Sequence, residues 1–134
     1  NIRNTYVIKN AFLRLSSALI NEGKMNDAVK AIDKCFEIMP LSRVAADYYT
    51  LLLFENYYYA GDFVKGNNLA LKMLNSFDNN LQYYFSFTGY KANLLDNEKR
   101  NNLAFINRIA NVAEEFNQKE IADKANSLFN MYVQ

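Results

Sequence analysis

Apolar residues recur at helical spacing along almost the whole chain, and short polar turns punctuate the pattern. Ile8, Phe12, Leu15 and Leu19 follow at steps of four, three and four, which places them on one face of a helix. The run Asn21-Glu22-Gly23-Lys24 ends that helix, with Gly23 as a left-handed C-cap. A second helix, from near Asn26, carries Ala28, Ile32, Cys35, Phe36 and Met39 inward and stops at Pro40. A third runs from about Ser42 or Arg43 to Ala60, carries Leu52, Leu53, Phe54 and Tyr57, and stops at Gly61. Asp62 caps a fourth, which bears Phe63, Leu69, Ala70, Met73, Leu74 and Phe77. Asp78-Asn79-Asn80 reads as a turn. A fifth helix runs from Leu81 to about Leu95 with Gly89 inside it. There glycine costs about 1 kcal/mol against alanine, so Gly89 marks either a close crossing or a local break. Asp96-Asn97 reads as the next turn. A sixth helix holds Leu103, Ile106, Ile109, Ala110, Ala113 and Phe116, and a last one, from about Lys119, holds Ile121, Ala125, Leu128 and Tyr132. No stretch alternates as a strand would. The expectation is an all-α chain of about seven helices.

Aligning the two glycine turns brings out a longer pattern. Phe12, Leu15, Leu19, Gly23, Ala28, Ile32, Cys35 and Pro40 stand at the spacings of a 34-residue tetratricopeptide unit. Leu53, Tyr57, Gly61, Ala70 and Met73 stand at matching offsets in a second unit, and Gly66 takes the place of Ala28. A small side chain is needed there because antiparallel helices cross closely only where one of them is slim. The match has defects. Phe12 and Ser16 occupy the places of the tryptophan and glycine in the first opening helix. Thr50, Phe54 and Asp78 interrupt the second unit, and the glycine turns lie 38 residues apart rather than 34. The expected architecture is a tetratricopeptide-like right-handed superhelix of antiparallel helix hairpins. It forms one domain with units at about 9–42, 47–80 and 81–116 and a capping helix at 118–133. An unrelated helical bundle is the other arrangement the pattern allows.

Composition narrows the function by exclusion. Fifteen basic and fourteen acidic residues leave a formal charge of +1, with none of the basic field that a phosphate backbone requires. No nucleic-acid partner is expected. The chain has no histidine, which removes the usual neutral-pH proton shuttle and every histidine-containing triad or metal set. No cofactor, metal or catalytic residue is expected in this domain. Its apolar runs fall well short of the roughly 20 residues that span a bilayer, so direct insertion of this stretch is not expected either. The sequence opens in mid-helix at Asn1 without an initiator methionine, and it reads as part of something longer.

Several segments carry a closer likeness. They are Ile2-Arg3-Asn4-Thr5-Tyr6, Ala18-Leu19-Ile20-Asn21-Glu22-Gly23-Lys24, Asp33-Lys34-Cys35-Phe36-Glu37-Ile38-Met39-Pro40 and Tyr57-Tyr58-Tyr59-Ala60-Gly61-Asp62-Phe63-Val64-Lys65-Gly66-Asn67. Together they resemble the soluble C-terminal region of Bacteroidetes multi-spanning membrane proteins that carry the uncharacterised DUF2723 domain. The membrane part of that family is similar to protein O-mannosyltransferases and related lipid-linked sugar transferases. The resemblance implies a helical-repeat tail on the extracytoplasmic, periplasmic face of the inner membrane, attached to a glycosyltransferase-like core. The presumed catalytic residues of the family lie in the membrane part, and none maps onto this chain.

The tyrosines are the candidate binding residues. In a tetratricopeptide stack the first helix of each pair lines the concave surface. By register, that surface shows Asn10, Leu13, Ser17 and Asn21 from the first unit, and Tyr48, Leu51, Glu55, Tyr58 and Tyr59 from the second. Tyr83, Ser86, Tyr90 and Asn93 follow from the third. Phenol rings supply contact area at low entropy cost and suit a peptide or a sugar. Ordinary solenoid surface with half-buried rings is the plain alternative. Tyr57 follows core spacing and packs inward. Cys35 reads as a buried thiol at a helix crossing. Asp33 and Glu37 share a helix face, but beside Lys30 and Lys34 they read as a solvated surface rather than an acid/base pair. The expected function is a non-catalytic interaction or accessory domain of a larger membrane protein. It would dock a protein or peptide, or its own membrane domain. A glycan- or sugar-acceptor-binding domain and a structural spacer are the alternatives.

Overall fold

The structure is a computed structural model that describes residues 2–133. The expected mid-helix opening at Asn1 falls outside them, as does Gln134. Among the described residues there are seven α-helices and no strand: α1 (Ile2–Asn21), α2 (Met25–Ile38), α3 (Tyr48–Tyr59), α4 (Phe63–Phe85), α5 (Gly89–Leu94), α6 (Asp96–Glu115) and α7 (Lys119–Tyr132). Contacts divide the chain into two compact units, 1–69 and 70–134, and the division falls within α4.

Three helix hairpins turn in the same way. At the first turn the Gly23 N–H donates to the Ile20 carbonyl at 3.0 Å, and the Lys24 N–H to that of Leu19 at 2.8 Å. At the second the Gly61 and Asp62 N–H groups donate to Tyr58 and Tyr57, each at 2.9 Å. At the third the Asn117 and Gln118 N–H groups donate to Glu114 and Ala113, at 3.0 and 2.7 Å. This is the bonding of a Schellman cap, which needs a left-handed residue at its centre. Gly23, Gly61 and Asn117 supply it, with φ of +78°, +84° and +60°. Five residues past each centre stands a small buried residue, Ala28, Gly66 or Ala122. The third hairpin is therefore α6–α7, and Asn117 marks it where a search for glycine finds nothing.

In the first unit α1 packs against both α2 and α3. Ile32, Leu51, Leu53 and Phe54 are buried there, and Cys35 is buried as expected. The interior also holds polar groups. Lys9, fully buried on α1, reaches Asp47 Oδ2, Thr50 Oγ1 and the Ala45 carbonyl, each at 3.2 Å. Asp47 and Thr50 form a capping box: Thr50 N–H donates to Asp47 Oδ1 at 3.0 Å, and Asp47 N–H to Thr50 Oγ1 at 3.2 Å. That box starts α3 at Tyr48, five residues or more beyond the start expected near Ser42. The preceding stretch turns instead, with the Arg43 and Val44 N–H groups donating to the Pro40 carbonyl. Asn56 ties α3 to α1 by donating to Ser16 Oγ at 2.9 Å and Ser17 Oγ at 3.0 Å.

In the second unit α6 and α7 form the hairpin, with Ile106, Ile109, Ala110, Ile121 and Ala125 buried. The turn expected at Asp78-Asn79-Asn80 is not there; α4 runs through it to Phe85. Side chains elsewhere in the unit hold this polar triplet in helix. Tyr132 donates its hydroxyl to Asp78 Oδ1 at 2.5 Å, and Asn80 Nδ2 donates to Asn102 Oδ1 at 3.2 Å. The helix expected over Leu81–Leu95 breaks at 86–88. Ser86 folds its hydroxyl onto the Tyr83 carbonyl at 2.6 Å, Thr88 is extended, and Gly89 starts α5 at φ +66°. Gly89 thus marks a local break, not a crossing. Asp96-Asn97 is no turn either. These residues open α6, where Asp96 and Glu98 meet the positive end of the helix.

Candidate functional site

The tyrosine face expected from the register falls on both units. In the first, Tyr48 and Tyr59 are about half exposed, at 48% and 52%, and Asn21 is exposed. Asn10 and Ser17 are half-buried, and Ser17 receives the Asn56 amide. Tyr58 and Glu55 are corrections to the expectation, since both are buried. Tyr58 lies against Gly66, where a Cβ would sit 2.6 Å from two of its ring carbons. Its ring also meets Phe54 edge-on at 4.7 Å, and its hydroxyl donates to Asn67 Oδ1. The space left by Gly66 draws the ring inward, and burial pushes its phenol up to about 12. Tyr58 is core rather than contact surface.

The second unit differs. Tyr83, Ser86, Tyr90 and Asn93 are all exposed, Tyr83 at 61% and Tyr90 at 78%. α5 contains no buried residue. Leu94, which the register did not single out, is 60% exposed on the same helix. Phe87 braces the stretch: the Tyr83 ring meets it edge-on at 5.0 Å, and the Lys91 ammonium stands 4.7 Å above it. On the other side Phe85 stacks on Tyr132 at 5.4 Å, with the Lys99 ammonium 4.6 Å from its ring. Lys99 also donates to the Ala92 carbonyl at 3.4 Å. The first and second turn centres stand 38 residues apart, and the second and third 56. The end of α4, the break and α5 supply the surplus.

A polar cluster that the periodicity does not reveal lies in the first unit. Asp33 accepts the Tyr57 hydroxyl on Oδ1 and the Lys65 ammonium on Oδ2, each at 2.6 Å. Asp62 caps α4 by accepting the Lys65 N–H at 3.0 Å. Asp33, Asp62 and Lys65, together with Asn26, Lys30 and Val64, line an open cleft of about 580 Å³, and Tyr57 lies behind Asp33 outside that lining. Burial, then the bond to Asp33, raises the Tyr57 phenol far above its usual range. The same carboxylate raises the Lys65 ammonium. Both groups therefore hold their protons, and Asp33 is committed to them. Glu37 pairs instead with Lys34 at 3.9 Å, so the two carboxylates of this helix have different partners. Asp33 is half-buried in this cluster, whereas a solvated place beside Lys30 and Lys34 was expected.

Cys35 is fully buried. Burial raises its thiol to about 11 against the pull of nearby Lys9, which keeps it protonated and unreactive at neutral pH. Among the described residues no three Cys, Asp or Glu side chains gather to hold a metal ion. No helix of the described residues is long and apolar enough to cross a membrane. Comparison of the chain with family models, curated proteins and solved structures gives no match in any of the three.

Proposed function

We propose that this chain is a non-catalytic interaction domain of tetratricopeptide-like build, and that it docks a protein segment through the stretch from Tyr83 to Leu94. One observation carries the reading. This stretch is surplus to the hairpin repeat and adds no buried residue from α5, yet it presents Tyr83, Tyr90 and Leu94 to solvent. In repeat arrays, insertions between units commonly fall on the binding face. Exposed tyrosine flanked by apolar surface is the usual composition of a binding hot spot. The likeness to the tails of DUF2723 membrane proteins supports a place for the domain on the periplasmic face of such a protein. Its partner there would be its own membrane domain or a neighbouring protein. A glycan is the second reading, because Ser86 and Asn93 add a hydroxyl and a carboxamide to the same exposed stretch.

A photo-crosslinking residue at Tyr90 in the cell tests the first reading, and a panel of envelope glycans followed by amide chemical shifts tests the second. The docking reading expects one dominant protein adduct that Tyr83→Ala and Leu94→Ala abolish. Adducts that these variants leave unchanged would refute it. Shifts at Tyr83, Tyr90 and Asn93 with glycan alone would replace it with the second reading. Silence in both would leave the stretch as a spacer.

A further inference from the structure

The stretch proposed for docking carries a charge pattern that bears on what it would hold. From Asn79 to Leu95 the chain has one charged residue, Lys91, set among five aromatic rings. Tyr83, Phe87 and Lys91 stand four residues apart, and the spacing becomes a ladder in space. The Tyr83 ring meets Phe87 edge-on at 5.0 Å, and the Lys91 ammonium stands 4.7 Å above the same ring. Phe87 is half-buried, while Tyr83 and Lys91 are exposed. The ring thus holds one side of the ammonium, and among the described residues Lys91 forms no hydrogen bond or ion pair.

The other cation held on a ring is already committed. Lys99 lies over Phe85 at 4.6 Å, donates to the Ala92 carbonyl at 3.4 Å and stands 3.9 Å from Asp96. Its side chain is 14% exposed. Asp96 and Glu98, the nearest acids in sequence, occupy the first turn of α6, and neither pairs with Lys91. The remaining exposed polar groups of the stretch are the Tyr83, Thr88 and Tyr90 hydroxyls and the Asn93 carboxamide, all able to donate. Ser86 already donates to the Tyr83 carbonyl. Tyr90 and Leu94 lie about one turn apart on α5, about 6 Å along its axis. The stretch is therefore apolar and aromatic, rich in donors, and marked by one uncompensated positive charge.

On the basis of the docking reading above, we infer that the segment this stretch receives is acidic and apolar. An Asp or Glu carboxylate of the segment sits on Lys91, and an aliphatic or aromatic neighbour packs on Tyr90 and Leu94. A segment laid over Tyr90 and Leu94 takes water from Lys91 beside them in the chain, and an ammonium desolvated without a counter-charge is costly. A carboxylate removes that cost. Because Phe87 already holds the Lys91 side chain, little of its freedom is lost on pairing. A basic segment meets the same charge and is repelled. A nucleic acid or an anionic membrane is held by several clustered cations, and this stretch offers one.

Panning a phage-displayed library of random peptides on the 134-residue chain tests the inference, with Tyr83→Ala plus Leu94→Ala as the chain that defines the docking site. Peptides that bind the parent but not this double variant should be enriched in Asp or Glu next to Leu, Ile or Phe. For a synthetic peptide from that set, fluorescence anisotropy should show affinity weakened about tenfold or more by Lys91→Glu. Exchanging the acid of the peptide for lysine should restore affinity for the Lys91→Glu chain. Lys91→Met, which keeps an unbranched stem over Phe87, should weaken binding less and flatten its dependence on salt. Lys91 is exposed, and circular dichroism checks that both variants keep their helix. Peptides that need Tyr83 and Leu94 yet show no acid enrichment would overturn the inference and leave docking in place. So would an affinity that Lys91→Glu changes by less than about twofold. A library that yields no peptide dependent on Tyr83 and Leu94 would overturn both.

Discussion

Replacing Gly66 by alanine tests the closest approach in the first unit. Gly66 lies in the first turn of α4, and its φ is not in the left-handed region, so alanine fits the backbone without strain. Helix propensity alone predicts a gain of about 1 kcal/mol. The added Cβ, however, would stand 2.6 Å from Cδ1 and Cε1 of Tyr58, where ordinary contact begins near 3.4 Å. The ring cannot swing away, because Phe54 holds it edge-on and Asn67 holds its hydroxyl. Overpacking of this kind costs about 1–3 kcal/mol. The net expectation is a loss of about 1 kcal/mol, or about 3–5 °C in Tm for a chain of this size. Urea titration gives the number, provided the slope stays constant. Repeating the substitution in a Tyr58→Ala background supplies the control. With the ring gone, Gly66→Ala should stabilise by roughly its propensity, so the sign reverses between backgrounds. Stabilisation by the full propensity value in the parent chain would refute the close-approach argument.

Further expectations follow from the buried polar groups and from the third turn. Lys9→Ala leaves Asp47 and Thr50 without their buried partner and should cost about 3 kcal/mol by urea titration. Cost below about 1 kcal/mol would show that water replaces the ammonium. The Tyr58 phenol holds its proton to about 12 in the folded chain, against about 10 when unfolded, so its contribution is complete below pH 10 and fades as pH climbs toward 12. Alkaline unfolding monitored by circular dichroism should lose this part of its pH dependence in Tyr58→Phe. Asn117→Gly should stabilise by several tenths of a kcal/mol, because glycine adopts φ +60° freely, whereas Asn117→Ala should cost about 1 kcal/mol. Thermal melts of the pair check the order.

Helix content and the first two hairpin turns are legible in the sequence because each is local: an apolar period of 3.6, and a glycine where the chain must turn left-handed. The features that local patterning hides are non-local. Asp78, Asn79 and Asn80 have the composition of a turn, but Tyr132 and Asn102 capture two of them and the helix continues. The third hairpin escapes notice because asparagine at 117 does the work of glycine. Tyr58 falls at a surface position by register, yet the gap left by Gly66 takes its ring into the core. The cluster of Tyr57, Asp33 and Lys65 joins three helices, and no spacing within one helix announces it. Tyr83, Ser86, Tyr90 and Asn93 are exposed, but the single helix over Leu81–Leu95 whose register grouped them breaks at 86–88.

Cys35 has a practical consequence. Its sulfur has no exposed surface, and its thiol is held near 11, so an alkylating reagent in solution finds nothing to attack while the first unit is closed. With one cysteine in the chain, the rate of labelling becomes a clock for opening of that unit alone. At low reagent concentration the clock reads an equilibrium constant, and at high concentration an opening rate. The same tube, given a partner for the Tyr83–Leu94 stretch, would report whether engaging the second unit slows the breathing of the first.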